Sequence, residues 1–172
     1  LTNSKGEPTN AAFGFTSALL RMAEDLKPAR GAVIFDGGVP QERLETHPED
    51  GMGWATIAPV YVSTGRFSEA ITAYTKAISL LGESADLRSG LGEARMAAAD
   101  GIVTAEALKD IEKALAIDPK NQRAQYYQAV AAEQDGDKPR ALLLYQALAT
   151  HIPPDSEPGQ LIARRIDALT GK

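Results

Sequence analysis

The chain has no cysteine. This excludes disulfide cross-links, thiolate zinc sites and covalent haem attachment through a Cys-x-x-Cys-His run. It leaves the compartment open, because domains on either side of a membrane can do without Cys. Positive charge is also scarce: 18 Lys and Arg stand against 23 Asp and Glu, for a net charge of −5. Residues 1–50 carry −3 of this and residues 51–172 carry −2. A nucleic-acid surface would need clustered Lys and Arg to neutralise phosphates, and no such cluster occurs, so nucleic acid is not an expected partner. No apolar run approaches the roughly 18 residues of a transmembrane helix. The opening LTNSKGEPTN is polar, carries no initiator Met and lacks the apolar stretch of a signal peptide, which reads as an excised or processed segment. Histidine is nearly absent too. His47 precedes Pro48 and His151 precedes Ile152-Pro153, neither with partners at zinc-ligand spacing. Gly6-Glu7-Pro8 and Gly37-Gly38 lack the spacing of a phosphate loop. No metal or other cofactor is therefore expected. The remaining composition, 44% hydrophobic and 24% charged, is that of an ordinary globular domain, alone or with an appendage.

Against these absences stands a periodic pattern. Trp54, Ile57, Ala58 and Tyr61 recur three and four residues apart, as on one face of a helix. Gly65 follows as a turn, and Ala70, Ile71, Tyr74, Ala77 and Ile78 form a second such face, with Ser68 and Glu69 as its expected caps. Pro59 falls inside the first helix, where it removes a backbone donor and predicts a bend. Leu91 and Gly92, with Arg95 where an aromatic is usual, then Ala107, Ile111, Ala114 and Pro119, restate the pattern. So do Tyr126, Tyr127, Val130, Gly136, Ala141, Tyr145 and Pro153. These are the offsets of the tetratricopeptide (TPR) helix-turn-helix. Gly65 and Gly136 lie 71 residues apart, whereas two repeats of about 34 give about 68. The surplus is expected in the turn Ala99–Thr104, with Thr104 capping the helix that follows.

The predicted fold is mainly α: a TPR array of three helix pairs (51–84, 85–121 and 122–155) plus a capping helix at 157–170, preceded by an N-terminal helix and one short β-strand. The capping helix would present Leu161, Ile162, Ile166 and Leu169 on one side and Arg164 and Arg165 on the other. Stacked helix pairs leave a concave groove suited to a protein or helical peptide. Trp54, Tyr61, Tyr74 and Tyr145 are expected in the core. The groove candidates lie on the other face of the first helix of each pair: Thr56, Pro59, Ser63, Arg88, Glu93, Met96, Tyr126, Val130 and Glu133. No catalytic residue is expected.

Residues from about 48 to 169 resemble the C-terminal TPR domain of the cytochrome c biogenesis protein CcmI (CycH). The resemblance rests on PEDGMGWATIAPVYVSTGRF, on LGEARMAAADGIVTAEAL with its long turn, on ALAIDP, and on AEQDGDKPRALLLYQAL followed by PPDS. It implies a periplasmic, non-enzymatic chaperone that holds apocytochrome c, chiefly through the apocytochrome's C-terminal helix, and passes it to haem-ligation components.

Residues 1–38 read differently. Asn10–Leu26 is an amphipathic pattern, with Phe13, Leu19, Met22, Ala23 and Leu26, ended by Lys27-Pro28; Ala32–Phe35 is a short apolar strand closed by Asp36-Gly37-Gly38. LTNSKGEPTNAAFGFTSALLRMAEDLKP and GAVIFDGG resemble the 5′ nuclease domain of bacterial DNA polymerase I, with a continuation to 49 left open. The resemblance makes Asp36 a metal-binding position, and Arg43 a match to a phosphate-contacting Arg. Two-metal hydrolysis needs several carboxylates, and the rest of that set is missing, so Asp36 is vestigial and nuclease activity is expected to be lost. The whole reads as a chimera joined within a 39–50 junction. An orphan apolar strand is an exposed edge, so this strand or helix can drive homo-oligomer formation. The competing reading is a chimeric or engineered assembly protein with no native ligand.

Overall fold

The computed structural model describes Leu44 and residues 47–171. The N-terminal helix and strand, Asp36 and Arg43 lie outside these residues. The described part holds seven helices: α1 (Gly51–Ser63), α2 (Phe67–Leu81), α3 (Ala85–Ala98), α4 (Ala105–Ile117), α5 (Gln122–Gln134), α6 (Lys138–Ala149) and α7 (Glu157–Thr170). There is no strand among the described residues. The helices pair as α1–α2, α3–α4 and α5–α6, each pair packs on the next, and α7 packs on α6. This is the TPR array that the periodicity predicts.

Local chemistry sets most helix starts. Asp50, Ser84, Thr104, Asn121, Asp137 and Ser156 each accept a hydrogen bond from the backbone N–H three residues on. The exception is α2, which starts at Phe67 after Arg66 with no side-chain cap. Ser68 and Glu69 thus fall inside its first turn and not before it, and Glu69 instead binds Arg66 Nε at 3.0 Å. The α1–α2 and α5–α6 turns each centre on a left-handed glycine, Gly65 (φ 74°) and Gly136 (φ 79°). The α3–α4 connection is longer, running from Ala99 to Thr104. Gln134 on α5 holds it from both sides: its Oε1 accepts from Val103 N at 2.8 Å, and its Nε2 donates to Gly101 O at 2.7 Å.

Small residues let the helices approach. Ala58, Ala70, Ala73, Ala94, Ala107, Ala114, Ala124, Ala129 and Ala141 are fully buried, and Tyr61, Tyr74, Ile111, Tyr145 and Leu148 fill the spaces between them. At Gly90 the α2–α3 approach is so close that a Cβ would stand 2.4 Å from the Tyr74 ring. Among the first helices of the pairs, α1 meets α3 and α3 meets α5, whereas α2, α4 and α6 do not meet one another. The first helices are therefore spaced more tightly, and the array curves with them on its inner side.

The second repeat departs from the first in its core. Arg88, Arg95 and Asp110 occupy the places that Trp54, Tyr61 and Ala73 hold in repeat one. Asp110 is 4% exposed. Its Oδ1 accepts from Arg88 Nη1 at 2.7 Å, and its Oδ2 lies 3.3 Å from Arg95 Nε without forming a hydrogen bond. Glu83 closes the group on the outer side through Arg88 and Lys113.

Candidate functional site

The inner face is a ladder of paired polar groups. Glu93 on α3 accepts from the Tyr127 hydroxyl at 2.8 Å and pairs with Arg123 at 3.4 Å, both on α5. One step on, Glu133 accepts from the Tyr145 hydroxyl at 2.9 Å and from Arg165 of α7 at 3.2 Å. Burial raises the Tyr127 and Tyr145 phenol pKa values well above the ordinary one, and the acceptor carboxylates Glu93 and Glu133 add to the rise. Both rings therefore stay neutral and act as donors at any physiological pH.

The ladder is tight between α3 and α5 but open between α5 and α7. The second and third helix pairs are entered through short connections, 82–84 and 118–121, whereas α7 is entered through the longer 150–156 segment. That segment folds back on the first turn of α7, where Gly159 sits so close that a Cβ would stand 2.1 Å from the Pro153 carbonyl oxygen. Ile152 goes into the space between α5 and α7. Arg165 and Glu133 tie the two helices near their C-terminal ends, and near their N-terminal ends a cleft of about 360 Å³ remains. Tyr126, Tyr127, Leu148, Ile152, Pro158, Leu161 and Ile162 form its apolar lining, with Gln122, Arg123 and Glu157 at the rim. Tyr126 sits with its ring centroid 5.3 Å from that of Tyr127 and 5.9 Å from that of Tyr145. An apolar cleft with a few polar rim groups can hold apolar side chains of a partner.

A second concavity, of about 490 Å³, lies on the first repeat and is lined by Leu44, Pro48, Trp54, Tyr61, Ser68, Glu69, Thr72 and Lys76. Trp54 is half-buried, not wholly in the core. Its indole N–H donates to Pro48 O at 2.9 Å, and Lys76 Nζ lies over the ring at 4.2 Å.

The sequence candidates divide among several places. Tyr126 lines the α5–α7 cleft, and Glu93 and Glu133 stand on the ladder with their carboxylates already engaged. Met96 is half-buried and Thr56, Pro59 and Ser63 are exposed on α1. Arg88 instead faces Glu83 and Asp110, because it takes the place that the half-buried Trp54 holds in repeat one. Val130 is 8% exposed and belongs to the third-repeat core, packed among Ala129, Tyr145 and Ile162. Arg165, expected on the solvent side of α7, turns inward to Glu133, and Leu161, expected to be covered, is 37% exposed at the cleft. Sequence reasoning missed Arg123, Ile152, Pro158 and Leu161. The signal for them was the long gap between Leu148 and the apolar stripe of α7. Among the described residues no group of His, Asp or Glu is placed to hold a metal ion, and no helix is long and apolar enough to cross a membrane.

Comparison with known proteins agrees with this architecture. Residues 41–158 match the family model described as the cytochrome c-type biogenesis protein H TPR domain. The match begins ahead of Pro48, where the resemblance in sequence starts. The chain is 45% identical over 116 residues to the cytochrome c-type biogenesis protein CycH of Bradyrhizobium diazoefficiens, an alignment that takes in 67% of this chain and 31% of that protein. A shorter stretch of 49 residues is 45% identical to DNA polymerase I of Bacillus subtilis, covering 28% of this chain and 6% of that protein. This accords with the nuclease-like resemblance at the N-terminus. Among solved structures, MamA superimposes with a TM-score of 0.63 at 17% identity, over 77% of this chain and 73% of that one, which supports the fold alone. With more than half of its length matched by the family model, the chain belongs to the family of cytochrome c-type biogenesis protein H TPR domains.

Proposed function

We propose that this chain acts by binding and not by catalysis, as a TPR module that holds an unfolded c-type cytochrome polypeptide before haem is attached. The open apolar cleft between α5 and α7, at the end of a curved array whose other inner-face charges are paired, carries this reading. Membership of the cytochrome c-type biogenesis family supports this class of partner, and a periplasmic setting would fit that process. The haem-ligation components would be the recipients of the held chain. The sequence candidates Thr56, Pro59, Ser63, Met96 and Tyr126, exposed or half-buried, would then act as its contact surface. Calorimetric titration of the full chain with a haem-free c-type cytochrome and with its folded, haem-bound form tests the reading. Binding confined to the haem-free form is expected. Equal binding of both forms, or of neither, would overturn it.

The DNA polymerase I match favours a second reading, in which two unrelated pieces are joined and the chain serves as an assembly protein. Light scattering coupled to size exclusion separates the two: a stable oligomer that ignores haem-free cytochrome would favour the assembly reading.

A further inference from the structure

Repeats one and two carry the same charged pair in sequence but use it differently. In each, a lysine stands on the second helix six residues after a buried alanine: Lys76 after Ala70, and Lys113 after Ala107. In each, a glutamate lies five residues before the tryptophan place of the first helix: Glu49 before Trp54, and Glu83 before Arg88. In repeat two the two groups meet. Glu83 Oε1 lies 3.5 Å from Lys113 Nζ and also pairs with Arg88 Nη2. In repeat one they do not. Glu49 Oε1 turns to His47 Nδ1 at 3.3 Å, and the exposed Lys76 has no carboxylate partner among the described residues. Its Nζ rests over the Trp54 ring at 4.2 Å. Lys76 also borders the concavity of about 490 Å³ on the first helix pair, whose apolar floor is Leu44, Pro48, Trp54 and Tyr61. The other cation nearby, Arg66, leans on the Tyr61 ring and is closed by Glu69 at 3.0 Å. The uncompensated charge at this concavity is thus positive, and it adjoins apolar surface.

We propose that this concavity is a second polypeptide-binding site, separate from the α5–α7 cleft, for a segment that carries a glutamate or aspartate beside a leucine or aromatic side chain. The carboxylate takes the place at Lys76 that Glu83 takes at Lys113, and the apolar side chain lies against Trp54 and Tyr61. Repeat two supplies the argument for a polypeptide occupant, because there the carboxylate arrives on the chain that leads into the helix pair. The volume falls within the 300–1,000 Å³ of ordinary ligand pockets and admits one or two side chains. Apolar burial supplies most of the affinity. The exposed ion pair adds a few-fold of selectivity among segments with suitable apolar groups.

Trp54 is the only tryptophan in the chain, so its emission reports occupancy of the concavity. Titration of the full chain with short synthetic peptides that lack tryptophan and tyrosine tests the proposal. The first peptide carries a Leu-Glu pair in a Gly-Ser background, the second has glutamine for the glutamate, and the third has alanine for the leucine. Octanoate serves as a fourth probe. The Leu-Glu peptide should bind best, the glutamine version about two- to fivefold more weakly, and the alanine version about tenfold more weakly. Lys76→Gln should erase the difference between glutamate and glutamine peptides. Lys76→Glu should turn the preference toward a Leu-Lys peptide. Neither change should alter the helix content, since the side chain is exposed. Glutamate and glutamine peptides that bind wild type alike, or a difference that survives Lys76→Gln, would overturn the carboxylate assignment. Octanoate binding as tightly as the Leu-Glu peptide would replace the polypeptide occupant by a free amphipathic acid. No saturable change in emission with any probe would remove the site altogether. None of these outcomes depends on whether a haem-free cytochrome binds.

Discussion

Removing the Asp110 carboxylate should unseat the second repeat. That carboxylate is 5% exposed and faces two guanidinium groups, Arg88 at 2.7 Å and Arg95 at 3.3 Å. Asp110→Ala leaves Arg88 with one exposed acid, Glu83, and leaves Arg95 with no carboxylate partner among the described residues. Deleting one partner of a buried ion pair costs about 3–5 kcal/mol, against a total stability of about 5–15 kcal/mol for a domain. For an array of this size each kcal/mol moves the midpoint by roughly 2–4 °C or somewhat more, so the thermal midpoint should fall by roughly 10 °C or more. The first repeat shows what the alternative looks like, since Trp54, Tyr61 and Ala73 hold the same places with no charge. Replacing the trio together, Arg88→Trp with Arg95→Tyr and Asp110→Ala, should restore the lost stability or exceed it, because a buried ion cluster seldom outdoes apolar groups of matching shape. The unbonded Asp110 Oδ2 and the unbonded Nε atoms of both arginines make that outcome more favourable still. Urea and thermal unfolding followed by circular dichroism measure both variants. A single variant within about 1 kcal/mol of wild type, or a triple variant less stable than the single one, would refute the reasoning.

Three further outcomes follow from particular contacts. Gly159→Ala places a methyl group against the Pro153 carbonyl oxygen at 2.1 Å, so it should cost about 1–3 kcal/mol locally, visible as faster hydrogen exchange in 157–170 with repeat one unchanged. Gln134→Ala frees the Val103 N–H and the Gly101 carbonyl in an exposed turn. Its stability cost should stay near about 1 kcal/mol, while proteolysis at 99–104 accelerates. In alkaline titration, burial raises the pKa of Tyr74, Tyr127 and Tyr145, and Glu93 and Glu133 raise the last two further. A raised folded-state pKa gives stability that is whole below the unfolded value of about 10 and is lost as pH climbs above it. Absorbance near 295 nm should therefore show these three phenols ionising late, together with loss of helix; early, reversible ionisation of all five tyrosines would count against it.

What the sequence disclosed was the part governed by local periodicity. Helix pairs, left-handed turn glycines at Gly65 and Gly136, and the Thr104 cap follow from spacing and short-range hydrogen bonding, and the array follows from their repetition. The site depends on longer separations. Arg88 reads as a surface cation until Asp110, twenty-two residues on, is seen to be buried beside it. Val130 reads as a groove residue because the third repeat's aromatics are shifted along α5, so a valine takes a core place there. The cleft itself comes from the path of 150–156, and no periodic signal encodes how far a loop holds two helices apart. The nuclease-like segment lies outside the described residues, and its resemblance rests on sequence.

The helix α7 touches only α6 among the helices at close backbone range, and it reaches α5 through side chains alone, by the Arg165–Glu133 pair and by Ile162 in the shared core. Helices so attached can open without unfolding the rest of a stacked array. A ligand seated between α5 and α7 would add a further attachment to a sparsely held helix, and it would bind only the closed state. Its free energy then appears as protection of the α7 amides, growing as RT ln(1 + [L]/Kd). The last helix is thus a built-in gauge of occupancy: the exchange rate of its amides would report affinity for an unlabelled partner, while repeat one serves as the internal reference.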